Sequence, residues 1–179
     1  MTNILVFSEI DENGIIKASQ EIIAYCAANF HNAAINTVVL TAPENKETVK
    51  NQLTGMSIDN LYVLTNENYN AYSTEIYTDA VVNFLTEYGH DVFLIAATPQ
   101  GRDLAPRIAS RMNIGLTADC TEIGLDEKNM LLATRPTYGG KLMATILSKT
   151  TPQFATIRPG ALKPVSYTHL RAHETGAYL

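Results

Sequence analysis

Four times in succession the chain passes from a short, unbroken apolar run into a segment of helical period, and this alternation is the strongest constraint on its fold. Apolar runs that are continuous rather than alternating mark strands covered on both faces. They lie at Ile4 to Phe7, Ile35 to Leu40, Asn60 to Leu64 and Val92 to Ala97. Helical spacing follows each one. Ser19 to Asn29 repeats Ile22, Ile23, Cys26 and Ala27 on one face, with Ser19 as the expected N-cap. Glu44 to Leu53 is the second helix, stopped near Gly55. Thr74 to Tyr88 is the third, with Ile76, Ala80, Val81, Phe84 and Leu85 inward and Gly89 as its stop. Leu104 to Met112 is the fourth. Strands and helices joined by only a few residues require a parallel sheet with right-handed crossovers and helices on both faces, a doubly wound α/β fold.

Beyond Gly115 the period changes. Cys120 to Gly124, Met130 to Arg135, Leu142 to Ser148 and Gln153 to Arg158 read as short strands separated by turn residues. Asp126-Glu127-Lys128-Asn129 and Gly139-Gly140 supply the turns, so the domain is expected to close with an antiparallel strand section.

Composition removes several function classes. A length of 179 residues suits one domain. No apolar run approaches the about 20 residues of a membrane helix, and the first residues read as a strand rather than a signal peptide. Membrane insertion is therefore not expected. A formal charge of −5 leaves no dense basic face for nucleic acid. Cys26 and Cys120 are far apart and belong to no Cys/His motif. They read as buried, reduced thiols of a cytoplasmic protein, with a disulfide or redox pair as the alternative.

Three segments carry candidate chemistry. The first runs from Ala96 to Arg107 at the carboxyl end of the fourth strand, the edge that ligands and partners approach in open parallel sheets. Thr98, Gly101 and Asp103 there form a candidate anion or partner loop. Gly101 permits close backbone approach, Arg102 adds a fixed charge, Asp103 is placed to cap the helix, and Pro106 suits its first turn. The alternative is a well-built strand-to-helix turn with Arg107 paired to a carboxylate. The second segment is Thr134 to Lys141, where Arg135 and Tyr138 form a contact surface or the Gly pair merely closes a hairpin. The third is Ile157-Arg158-Pro159-Gly160, which reads as the exit from the domain. The chain has no G-x-G-x-x-G after its first strand, no P-loop and no G-x-S-x-G elbow. His31 and His90 stand alone and read as surface or helix-end histidines. No catalytic residue is expected, and no metal site.

Five segments in order resemble the alpha subunit of electron transfer flavoproteins: Ile4 to Glu9, Thr98 to Ala109, Gly115 to Cys120, Arg135 to Gly140 and Thr156 to Gly160. The resemblance covers about Met1 to Pro164, the alpha subunit's N-terminal domain. It implies an adenine nucleotide alpha hydrolase-like, or Rossmann-like, fold. It also implies a heterodimer with a beta subunit, and FAD held mainly by an alpha C-terminal domain that would follow Gly160. The intact pair would take electrons from acyl-CoA dehydrogenases, as in fatty acid beta-oxidation, and pass them to an acceptor such as a quinone reductase. In some anaerobes such a pair bifurcates electrons from NADH. AMP or a second FAD belongs to the beta subunit. No flavin-contacting residue of the family falls within Met1 to Pro164, so no cofactor-binding residue is expected in this fragment. Arg102, Arg107, Arg135 and Tyr138 are left as expected partner contacts. The rival expectation is a free-standing AMP- or ATP-binding module of the universal-stress type.

The last residues break the pattern. Val165 to Leu179 has no apolar period, and its His169 and His173 would share a helical face without a third ligand. Val165-Ser166-Tyr167-Thr168-His169-Leu170 can be back-translated as GTC TCT TAT ACA CAT CT, which resembles the transposon end used in sequencing libraries. Residues 165–179 are thus expected to be a non-native tail of translated adapter, following a domain at 1–164.

Overall fold

The structure, a computed structural model, describes residues 1–162. Strand β1 (Thr2–Phe7) leads through a short ribbon, β2 (Ile10–Asp11) and β3 (Gly14–Ile15), into helix α1 (Lys17–Asn29). Next come β4 (Ala33–Thr41), α2 (Lys46–Leu53), β5 (Asn60–Thr65), α3 (Thr74–Tyr88), β6 (Val92–Ala96) and α4 (Pro99–Met112). The remainder is strand: β7 (Leu116–Cys120), β8 (Glu122–Leu125), β9 (Leu131–Thr137), β10 (Leu142–Leu147) and β11 (Gln153–Ile157).

The central sheet has six strands in the order β5-β4-β1-β6-β11-β7, and every pairing in it is parallel. Its strands divide their side chains strictly between two faces. In β1, Ile4 and Val6 join one core with Ile22, Ile23 and Cys26 of α1, while Leu5 and Phe7 join the other with Val81, Phe84 and Leu85 of α3 and Leu104 and Ile108 of α4. Both faces are dry, which is why the strands read as continuous apolar runs rather than alternating ones.

The expected closing section needs one correction. Gln153 to Arg158 does not extend the antiparallel hairpins. As β11 it lies inside the central sheet, parallel to β6 on one side and to β7 on the other. Phe154 packs on Phe93 with ring centroids 4.7 Å apart, and the whole strand is buried. Of the described strands after Gly115, β7 is likewise parallel within the central sheet, and β8, β9 and β10 form an antiparallel sheet in the order β10-β9-β8. It is an excursion between two central strands. Ile123, Leu131 and Ala133 pack it onto the core beside α1, and Tyr25 donates its hydroxyl to the Ile123 carbonyl (3.1 Å).

Helix starts differ from expectation at three places. α2 begins at Lys46 rather than Glu44. α1 begins two residues before Ser19, whose Oγ instead accepts from the Glu9 amide (3.1 Å) and ties the loop after β1 to the helix. α4 begins at Pro99 rather than Leu104. Its N-cap is Thr98, whose Oγ1 accepts from the Gly101 amide (3.0 Å), so Asp103 is not the cap and Pro106 lies inside the helix. The segment read as a loop is therefore the first turn of α4. Pro99 suits that turn because the missing amide is one that no helix carbonyl would use.

His90, read from sequence as a surface or helix-end histidine, follows α3 but is only 8 % exposed. It packs against Phe84 and Tyr62, and its Nδ1 has no partner among the described residues. Burial pushes its pKa below the ordinary 6.5, against a smaller upward pull from Asp91. The unfolded chain therefore takes up a proton that the folded chain resists. This contribution to stability is complete above pH about 6.5 and is lost as the pH falls below it. His90→Phe is expected to flatten the loss of melting temperature between pH 7 and 5. An unchanged pH profile would show that His90 does not set it.

Candidate functional site

The carboxyl edge of the sheet gathers the termini of β1, β6, β11 and β7. After β1, the half-buried Glu9 carboxylate accepts from the Thr98 hydroxyl (2.5 Å), and burial raises its pKa against that hydrogen bond. Thr98 in turn caps α4 through Gly101. Gly101 is there because the helix crosses the end of β6 at close range: a Cβ would overlap the Ala96 carbonyl oxygen. The start of α4 thus has a built-in carboxylate beside it and one amide already bonded. A phosphate arriving at this turn meets Glu9, which makes the edge a poor cradle for a nucleotide's phosphates.

Beyond β11 lies an ion cluster. The pairing of β7 with β11 slips by one residue between Ala155 and Ile157, and Asp119 stands in that bulge at φ +61°, its amide bonded to Thr156 Oγ1 (2.9 Å). Bulges redirect a side chain, and this one turns the Asp119 carboxylate toward two guanidinium groups. Arg158 donates to it through Nε (3.2 Å) and Nη2 (2.7 Å), and Arg102 through Nη2 (3.2 Å). Arg158, followed by Arg102, holds the Asp119 carboxyl below its usual range. Arg102 also bonds the Ala97 carbonyl through Nε (2.8 Å), which locks β6, α4 and β7 together. Arg135 of β9 adds its charge to the same carboxylate, and its buried Nε has no hydrogen-bond partner among the described residues. Three arginines face one aspartate, so the cluster keeps a positive surplus.

Asp103 performs a different task. It accepts from the hydroxyls of Tyr72 (2.7 Å) and Thr74, fastening the start of α3 to α4. Burial and the Asp103 charge push Tyr72 up to about 12, so it stays a donor. Arg107 lies one turn further along α4, with its Nε 3.7 Å from Asp103 Oδ1. This is the carboxylate pairing that the sequence left as its alternative.

Tyr138 stands apart from that edge. It is 80 % exposed at the turn from β9 to β10, where Gly139 (φ +67°) and Gly140 (φ +87°) supply the reversal. Of the eight large apolar side chains exposed among the described residues, five lie here: Tyr138, Leu142, Met143, Ile146 and Leu147. Periodicity did not mark β10 as a surface, because its apolar residues read like those of a buried strand. The structure places Arg102 and Arg135 at the ion cluster, Tyr138 at the tip of the small sheet and Arg107 in the groove between α3 and α4.

Two thiols complete the inventory. Cys26 and Cys120 are buried and free, and burial raises both, Cys120 to about 11, so neither is a thiolate near neutrality. Among the described residues no group of three or more His, Cys, Asp or Glu could hold a metal ion, and no helix is long and apolar enough to cross a membrane. The His169/His173 pair and the expected adapter tail lie outside the described residues.

FAD needs a long channel with cover for a ring system and a cationic or amide cradle for its pyrophosphate. The groove between α3 and α4, about 520 Å³, is an open trough walled by charged side chains such as Glu75, Arg107 and Arg111. The aromatic crevice after β1 and β4, about 370 Å³, has no cationic wall. Neither of these two pockets fits FAD.

The electron transfer flavoprotein domain family matches residues 4–177. The chain is 39 % identical to the electron transfer flavoprotein subunit alpha of Thermoanaerobacterium thermosaccharolyticum over 90 % of this chain and 49 % of that one. It is 37 % identical to the protein FixB of Clostridium saccharobutylicum, over 90 % of this chain and 48 % of the relative. To the acryloyl-CoA reductase electron transfer subunit beta of Anaerotignum propionicum it is 30 % identical, over 93 % and 52 %. It spans about half the length of these curated relatives. With its fold and with matches over most of its length, the chain belongs to the electron transfer flavoprotein family.

Proposed function

We propose that this chain is the beta-subunit docking domain of an electron transfer flavoprotein alpha subunit. The intact subunit would carry electrons through FAD from acyl-CoA dehydrogenases, or other dehydrogenases, to a downstream acceptor. The carrying observation is the sheet β8-β9-β10, whose edge strand leaves Leu142, Met143, Ile146 and Leu147 exposed beside Tyr138. Soluble chains seldom leave such an edge bare, because its free amides, carbonyls and apolar side chains invite pairing with another chain. Tyr138 and Arg135 add the residue types that dominate contact energies. FAD, bound elsewhere in the intact subunit, supplies the capacity to accept and release electrons. This domain's own part is to hold the two subunits in register. Two observations support that division: the chain spans about half of its relatives' length, and neither the groove between α3 and α4 nor the crevice after β1 and β4 fits the flavin.

The test is binding to a separately purified beta subunit. Leu142→Glu combined with Leu147→Glu is expected to weaken the complex at least about tenfold, since buried interface anchors carry more than about 1 kcal/mol each. Both side chains are exposed, so the melting temperature of the free chain should hold. Unchanged affinity would remove β10 from the interface.

A further inference from the structure

A second surface feature lies where the direction of winding reverses. β1 is followed by strands laid outward on one side, and β6 by strands laid outward on the other, so the sheet opens between them at its carboxyl edge. Open α/β sheets take ligands at this point. A crevice of about 370 Å³ occupies it, bounded by the loop after β1, the end of β4 and the first turn of α4. That volume falls within the range of small-molecule sites.

Its walls define a narrow chemistry. Tyr69, Tyr72 and Tyr77 line it as one edge-to-face cluster, with Tyr77 centred 5.8 Å from Tyr69 and 5.1 Å from Tyr72. Such rings favour a planar aromatic partner. Thr41 lines it too: the residue is fully buried, and its hydroxyl has no hydrogen-bond partner among the described residues. An unpaired buried hydroxyl is costly, and a ligand's ring nitrogen or carbonyl recovers that cost. The charged groups lining the crevice are Asp11 and Glu12, with no lysine or arginine among them. Phosphates would meet two carboxylates and no cation.

We propose that this crevice binds an uncharged planar heteroaromatic ligand of the nucleobase or nucleoside class and rejects its phosphorylated forms. This site is separate from β10, so its fate does not touch the docking reading.

Isothermal titration of the full chain with adenosine, guanosine, cytidine and uridine, each beside its 5′-monophosphate, tests it. At least one nucleoside is expected to give saturable one-to-one binding, with its monophosphate at least about tenfold weaker. Thr41→Val keeps the shape and removes the hydroxyl, and is expected to weaken that nucleoside about tenfold or more. Glu12→Lys changes only an exposed side chain and should narrow the gap between nucleoside and monophosphate severalfold. Three results would overturn the proposal: no saturable binding of any of the four nucleosides, a monophosphate that binds as tightly as its nucleoside, or a folded Thr41→Val chain of unchanged affinity.

Discussion

A chain ended at Thr150 is expected not to fold. The cut removes β11, the last strand in sequence but an interior strand in space, paired with β6 and β7 at once. Phe154, Ala155 and Ile157 are all within 2 % of full burial. Losing a buried Phe costs about 3–5 kcal/mol and a buried Ile about 2–5, before any hydrogen bond is counted. Together they consume most of the about 5–15 kcal/mol that holds an ordinary domain. β7 would also lose the strand it pairs with in the central sheet, and the small sheet beyond it would lose its anchor. Far-UV circular dichroism with thermal melting reads the result. A cooperative transition close to that of the full chain would refute the placement of β11. Phe154→Ala is the milder form of the same test and should lower stability by about 3–5 kcal/mol in denaturant titration.

Gly101→Val is the second large effect. The added Cβ would overlap the Ala96 carbonyl oxygen and press on Ile95 Cγ2, and a backbone atom of a central strand cannot swing aside. α4 must then lift from β6, which strains the Thr98 cap, its bond to Glu9 and the Arg102 bond to Ala97 together. A loss of about 3 kcal/mol or more is expected, in the range of severe overpacking. Gly124→Ala serves as the contrast. Its Cβ would find only Leu132 side-chain atoms at 3.9 and 4.0 Å, so it should be neutral or stabilising by up to about 1 kcal/mol. Equal losses at the two glycines would show that backbone approach is not what fixes position 101.

The two substitutions probe what the sequence concealed. Gly101 was legible as a glycine that lets backbones approach, but not what it approaches. That depends on Ala96 coming under α4, which follows from α4 starting at Pro99. Similarly, Asp103 looked like a cap because Asp favours caps, yet Thr98 had the better position once the helix began earlier. Asp103 was then free to bond Tyr72 and Thr74 on α3, a contact across 29 or more residues that no local pattern announces. The Arg102–Asp119–Arg158 cluster was equally hidden, because its members come from three segments and meet only at a bulge.

The sequence alone determined the architecture: parallel strands covered by helices on both faces, and an antiparallel section after Gly115. It could do so because burial on two faces writes itself directly into the run length and period of apolar residues. Only the tertiary structure decided that β11 returns to the middle of the sheet, that β10 is bare, and that the crevice at Thr41 is acidic and aromatic. Strand order, exposure and charge grouping all arise from contacts between distant segments. A buried strand has the same apolar composition at an edge or at the centre, whatever its neighbours.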